Sequence, residues 1–245
     1  MIGIVRTVLL GTGLAAFALF NVGTTSAVAG NATAVLELFT SQGCSSCPPA
    51  DKLMGKLSQN DELVVLSLPV DYWDYLGWKD TFASPAYTKR QQVYAAQRGD
   101  RSIYTPQVVV NGQQHVVGSD SRAIAQAIKT ADPLTVNVEL TMNGDAIEVA
   151  ISGALPDGVK AATVFFAPVS KEEEVSIGRG ENHGRKVSYT NVVRSLQPIG
   201  MWQGGDQKLM FPASEITKKG ADTCAIIIQI DRRGEPGNII GAALL

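Results

Sequence analysis

Cys44 and Cys47, separated by Ser45 and Ser46, are the residues of this chain whose type and spacing most directly imply chemistry. They follow a short apolar run and precede Pro48-Pro49, after which Leu53, Met54 and Leu57 recur at helical spacing. A Cys-x-x-Cys pair between a strand and a helix sits at a helix N-terminus, which carries roughly half a positive charge and several free N–H groups. Both favour a thiolate, so Cys44 is expected to be the exposed attacking thiol. Cys47, one turn on, is close enough to close a disulfide and is expected to be covered, as the resolving thiol. The same spacing also builds zinc sites, which need about four ligands. The remaining cysteine is Cys224, ahead of an apolar run, where an inert buried strand position is expected. Redox pair, soft-metal clip and inert structural pair are the three readings left open.

Other side chains could serve such a pair. Tyr72, Trp73, Tyr75 and Trp78 crowd one loop after the second apolar run. In a parallel sheet that loop opens at the same end as the cysteine loop. Tyr72, Trp73 and Trp78 are therefore candidates for lining a substrate groove, with packing between two halves of the chain as the alternative. His183 lies in the glycine-rich stretch Gly180–Arg185 with Glu181 and Arg185, a candidate polar group reaching over the cysteines. His115, the other histidine, follows an Asn-Gly turn that should point away from them. No metal-ligand set and no cofactor fingerprint stands out. The second half has no serine-histidine-acid order and no phosphate-binding glycine loop.

The elements that must position these residues follow from periodicity. Ala34–Phe39 and Leu63–Val70 read as buried parallel strands, with a helix over residues 48–59 between them. A second helix spans residues 84–97, with Pro85 in its first turn and Gly99 at its end. Val108–Val110, Asn111-Gly112 and Val116-Val117 predict a hairpin, and a last helix runs from Ser119 or Asp120 to about Lys129. From Pro133 onward short β-branched runs alternate with turn residues, which predicts an all-β region, a small sandwich. Arg6, the apolar stretch Val8–Val22 and Ala27-Val28-Ala29 read as an export signal with a small-x-small cleavage site, with an N-terminal membrane anchor as the alternative; the stretch is short for a bilayer span and is interrupted by Asn21. The expected organisation is a signal peptide over 1–29, an α/β domain over 30–132 and a β-rich domain over 133–245. The mature protein is then periplasmic or secreted, with no membrane association after cleavage, in a compartment where disulfides persist. A net charge of −2, a pI near 5.7 and no basic stripe argue against a nucleic-acid partner.

The order strand, Cys-x-x-Cys, helix, strand, helix, hairpin, helix resembles the thioredoxin fold in its minimal, glutaredoxin-like form. Cys44-Ser45-Ser46-Cys47 and Thr105-Pro106 carry the resemblance. It implies a cis Thr105–Pro106 bond facing the cysteines, with Thr105 offering backbone groups to substrate. It also implies a buried carboxylate on the first strand that accepts a proton during exchange, a role for which Glu37 is the candidate. The longer strings Glu37–Asp51, Tyr104–Gln107, Gly180–Arg185 and Asn191–Arg194 resemble a family of secreted bacterial thioredoxin-like proteins known only as a domain of unknown function, DUF1223. That likeness implies a fold and a redox motif but no substrate; with the cysteine pair and the Thr105–Pro106 turn, the expected function is an exported thiol-disulfide oxidoreductase acting on protein or small-molecule thiols and disulfides, with an unknown recycling partner. A periplasmic copper- or zinc-handling protein and a non-catalytic binding module are the alternatives. The chain departs from thioredoxins by Ser-Ser between the cysteines, Pro48 in place of a basic residue and no aromatic before Cys44. The direction of electron transfer is therefore left open.

Overall fold

The computed structural model describes residues 28–29, 32–232 and 235–245. The expected export segment lies outside the described residues, apart from Val28 and Ala29. Those two form the short strand β1 (Val28–Ala29). Among the described residues no helix is long and apolar enough to cross a membrane.

The first half follows the predicted order: β2 (Ala34–Thr40), α1 (Pro48–Leu57), β3 (Leu63–Pro69), α2 (Pro85–Arg98), β4 (Gln107–Val110), β5 (Gln114–Val117) and α3 (Ser121–Thr130). Local chemistry sets the boundaries. Ser84 caps α2 by accepting from the Ala86 N–H, Pro85 opens it, and Gly99 ends it in the left-handed region. The Asp120 carboxylate caps α3 by accepting from the N–H groups of Arg122 and Ala123. Asn111 and Gly112 both have positive φ, as the tight β4–β5 reversal requires. A Cβ at Gly112 would also lie 2.6 Å from the Gly237 carbonyl oxygen, so only glycine fits there.

The second half supplies β6 (Asn137–Asn143), β7 (Ala146–Ser152), β8 (Ala162–Ser176), β9 (Lys186–Val193), β10 (Gln197–Trp202), β11 (Gln207–Pro212), the one-turn α4 (Ser214–Thr217), β12 (Thr223–Arg232) and β13 (Glu235–Leu244). Two sheets result. One is four-stranded, in the order β1-β6-β7-β11. The other is nine-stranded, in the order β13-β12-β8-β9-β3-β2-β4-β5, with β10 on a further edge of β8. The molecule is thus a mixed α/β protein built around one large sheet that both halves share. The join is a parallel contact of β9 with β3 at Ser67 and Val192.

The three largest of four hydrophobic cores among the described residues follow from period-2 alternation. Ala34, Leu36 and Leu38 of β2 face α1 and α3, among Ala50, Met54, Ile124 and Ala127. Val35 and Phe39 face the opposite way, onto Tyr87 and Tyr94 of α2 together with Ala167, Val169, Ala225 and Ile227 from β8 and β12. On β12 the alternate residues Cys224, Ile226 and Ile228 turn to the smaller sheet and meet Val138, Leu140, Ile147 and Val149. The second core is drawn from both halves of the chain. Burying one such side chain contributes roughly 1.5–3 kcal/mol, so neither half keeps its stability alone. β10 went unpredicted because Pro198 and Gly200 break its pattern, which suits an edge strand with a register shift between those residues. β9 went largely unpredicted because its lone apolar residues alternate with Lys186, Ser188 and Thr190.

Candidate functional site

The chain leaves β2 at Thr40 and turns sharply into α1. The Cys44 N–H donates to the Ser41 carbonyl at 3.1 Å and the Cys47 N–H to the Cys44 carbonyl at 3.2 Å. Cys47 is the N-cap of α1, with no side chain capping the helix and Pro48 and Pro49 in the first turn. The two cysteines are joined as a disulfide, with Cα atoms 5.4 Å apart. Ser45 and Ser46 are exposed, but Cys44 is only 2% exposed and Cys47 is fully buried. The expectation of an open Cys44 sulfur is corrected: both cysteines are covered in the disulfide form.

What covers Cys44 comes from two sides. On one side Trp73 packs so closely that a Cβ at Gly43 would meet its Cβ at 3.1 Å and its carbonyl oxygen at 3.3 Å. Gly43 is therefore fixed by contact with Trp73. The Trp73 indole N–H donates to the Thr105 hydroxyl at 2.7 Å, and the Thr105–Pro106 bond is cis. Gly118 lies between this proline and α1: a Cβ added there would sit 3.1 Å from the Pro106 Cβ and 3.2 Å from that of Ala50. Tyr75 stacks on Trp73 and is 77% exposed, while Tyr72 packs on Trp73 at a tilt. Trp73 and Tyr72 thus stand with Thr105 and Pro106 on one flank of the cysteine loop.

The other flank comes from the second half. The Asn182 side-chain amide donates to the carbonyls of Gln42 at 2.9 Å and Cys44 at 2.8 Å. The Ser45 N–H faces the Glu181 carboxylate at 3.4 Å. Trp78 donates to the Gln42 side chain at 2.8 Å and packs under Gly178 and Gly180. The Gly180–Arg185 loop does reach the cysteine loop, through Asn182 and Glu181. His183 is exposed on the outside of that turn and makes no side-chain hydrogen bond or ion pair with the described residues. His115 is held away from the cysteines by Tyr104 at 2.8 Å and Asp100 at 3.0 Å. Among the described residues no group of three or more His, Cys, Asp or Glu side chains could hold a metal ion.

Glu37 and Asp51 occupy opposite faces of the sheet. Glu37 is fully buried on the α2 face, away from the cysteines. It accepts from Arg90 at 2.6 Å and from the Tyr94 hydroxyl at 2.7 Å. Arg90 also donates to Gln229, whose amide donates to Tyr94 and to the Gly237 carbonyl. The geometry thus makes Glu37 part of a satisfied clasp between α2, β2 and β12.

The carboxylate on the cysteine side is Asp51, which the sequence analysis did not single out. Its N–H donates to the Cys47 carbonyl at 3.1 Å, and residues four apart share a helix face. It is 2% exposed; Oδ1 accepts from Thr40 at 2.8 Å and Oδ2 has no partner among the described residues. Burial pushes its carboxyl up to about 8; the Thr40 hydrogen bond opposes the shift and nearby Asp80 adds to it. Burial also raises Asp80, although it accepts from the Gln42 N–H at 2.7 Å. The available signal was spacing: Asp51 follows Cys47 by one turn on the face carrying Met54. Cys224 is fully buried, and burial pushes its thiol up to about 12, as an inert strand residue should be.

The family described as "Protein of unknown function (DUF1223)" matches residues 35–229. A crystal structure of a protein from Agrobacterium tumefaciens, from a structural genomics effort, is 38% identical and superposes with a TM-score of 0.77. It covers 88% of this chain and 94% of its own. No match was found among curated proteins.

Proposed function

Since the chain belongs to the DUF1223 family, whose description assigns no activity, we propose from the site itself that it is an exported thioredoxin-like protein that exchanges thiols and disulfides through Cys44 and Cys47. The observation that carries this reading is the conjunction at the head of α1. A cysteine pair sits on a helix N-terminus, with a buried carboxyl that holds a proton one turn behind Cys47.

The chemistry runs as follows from the reduced form. The N-terminus of α1 stabilises the Cys44 thiolate. That thiolate attacks one sulfur of a substrate disulfide, forming a mixed disulfide and expelling the first substrate thiolate. The protonated Asp51 carboxyl passes its proton to the departing substrate thiolate, and the carboxylate this leaves takes the Cys47 proton as Cys47 attacks the Cys44 sulfur. The Cys44–Cys47 disulfide forms and the second substrate thiolate leaves. The substrate gains two electrons and, from solvent and Asp51, two protons; the cysteine pair loses both. Starting from the disulfide form, a dithiol substrate runs the same steps backwards. Trp73, Tyr72 and the Thr105–Pro106 turn flank the cysteine loop on one side, and Trp78 on the other, positions from which they can hold a substrate chain.

The test is a Cys47→Ser variant incubated with a peptide disulfide. The reading expects a stable mixed disulfide on Cys44, identified by mass after digestion. One observation favours a second reading. Cys44 is covered and tied down by Asn182, which suits a structural disulfide in a binding module. On that reading Cys44 of the variant stays unmodified.

A further inference from the structure

Behind the cysteine loop, α1 and the start of β9 enclose a groove of about 520 Å³ lined by Pro48, Lys52, Arg185, Lys186, Val187 and Ser188. Its two walls come from the two halves of the chain. They are held together where α1 packs on β9, so closely that a Cβ at Gly55 would lie 3.0 Å from the Thr190 hydroxyl. Three of the six lining residues are cations, on a chain whose net charge is −2. Lys186 is paired with Glu174 at 2.5 Å. Lys52 and Arg185 are exposed and take part in none of the ion pairs among the described residues. Two acidic side chains stand near the groove: Glu174, which is paired with Lys186, and Glu181, which faces the Ser45 N–H.

We propose that this groove is a subsite for the anionic part of the substrate, and that the preferred partner is a small disulfide or thiol carrying carboxylates near its sulfur. This rests on the thiol–disulfide reading of Cys44 and Cys47. Pro48 both follows Cys47 and lines the groove, so an anion held between Lys52 and Arg185 lies beside the reacting pair. Arg185 offers a planar fork suited to a carboxylate, and Lys52 a flexible point charge. Neither needs to break an existing ion pair to bind. The volume lies within the range of small-ligand sites, about 300–1,000 Å³.

The experiment compares three symmetrical disulfides on the reduced full-length protein: dithiobis(nitrobenzoate) as the anionic probe, hydroxyethyl disulfide as the neutral one and cystamine as the cationic one. The quantity read is the ratio of anionic to cationic rate, in the wild type and in the Lys52→Gln/Arg185→Gln variant. A change in thiolate stability moves all three rates together, so only a docking effect moves the ratio. The ratio is expected to fall about tenfold in the variant, and to fall in the wild type as the screening length shrinks from about 8 Å to about 3 Å with added salt. The Lys52→Glu/Arg185→Glu variant should turn the preference towards cystamine. A ratio unchanged by both variants overturns the groove while leaving the exchange reading intact. No reaction with any of the three probes overturns the exchange reading itself.

Discussion

The two faces of β2 each bury a carboxylate, and they solve the problem in opposite ways. On the α2 face Glu37 has Arg90 on one oxygen and Tyr94 on the other, and the network closes through Gln229 of β12. On the α1 face Asp51 has one hydrogen bond from Thr40, one oxygen without a partner, and a second acid, Asp80, close enough to add repulsion. A fully partnered buried charge holds elements together. An under-partnered one keeps its proton, and can release it when the charge nearby changes. The α2 face therefore clasps the two halves through a closed network, and on the proposed reading the α1 face sets a proton-holding carboxyl beside the cysteine pair.

The largest expected effect distinguishes the faces by pH. The Asp51 carboxyl titrates at about 8 in the folded protein and at 3.8 without its surroundings. The folded state therefore binds the extra proton across that window, so stability is highest at its acid end and declines as pH rises through it. The loss is on the order of 5 kcal/mol at most. Asp51→Asn should flatten that slope in urea unfolding measured from pH 4 to 9, and should slow closure of the mixed disulfide by Cys47. An unchanged slope would remove Asp51 from the account.

Next comes the clasp. Glu37→Ala or Arg90→Met leaves a buried charge without its partner and should cost about 3–5 kcal/mol, read from the urea midpoint. The double variant Glu37→Leu/Arg90→Met should recover part of that loss. Protein that remains folded should exchange thiols at the wild-type rate. A large drop in exchange rate at equal folding would return Glu37 to the proton-accepting role expected from the sequence.

Smaller effects concern the two flanks of Cys44. Asn182→Ala removes both hydrogen bonds that tie the Gly180–Arg185 loop to Gln42 and Cys44. It should cost about 1–3 kcal/mol and raise the alkylation rate of Cys44 in the reduced protein several-fold. If alkylation is unaffected, that loop is not what covers Cys44. Trp73→Phe keeps an aromatic ring, smaller than the indole, and loses the hydrogen bond to Thr105. About 1 kcal/mol of stability should go with it, and exchange with peptide disulfides should slow more than exchange with small ones.

Much of the first half was legible from sequence because its signals are local. Pro48-Pro49, Ser84-Pro85, Gly99 and Asn111-Gly112 each fix one boundary, and all of them lie where expected. The cysteine pair and the aromatic loop could be found the same way. What could not be read was long-range. Nothing local in Ser67 or Val192 announces a strand pairing across 125 residues that merges two sheets into one. Glu37 drew attention as a charge in an apolar run, yet alternation alone puts it with Val35 and Phe39, on the α2 face. Asp51 drew none, because an acid in a first helical turn is usually a solvated one. Its meaning comes from burial among Thr40, Asp80 and Tyr189 of β9, which only the assembled chain brings together. The covering of Cys44 by Asn182 is likewise a contact between residues 138 apart.

The central claim is that the Cys44–Cys47 disulfide is a working pair, and equilibration against thiol–disulfide buffers of graded potential tests it most directly. After each equilibration, acid quenching and alkylation count the free thiols by mass. The account predicts a single reversible two-electron transition in which Cys44 and Cys47 open and close together, while Cys224 is labelled only after unfolding. A pair that stays oxidised in every buffer until the protein unfolds would contradict it, and would make the disulfide a structural staple.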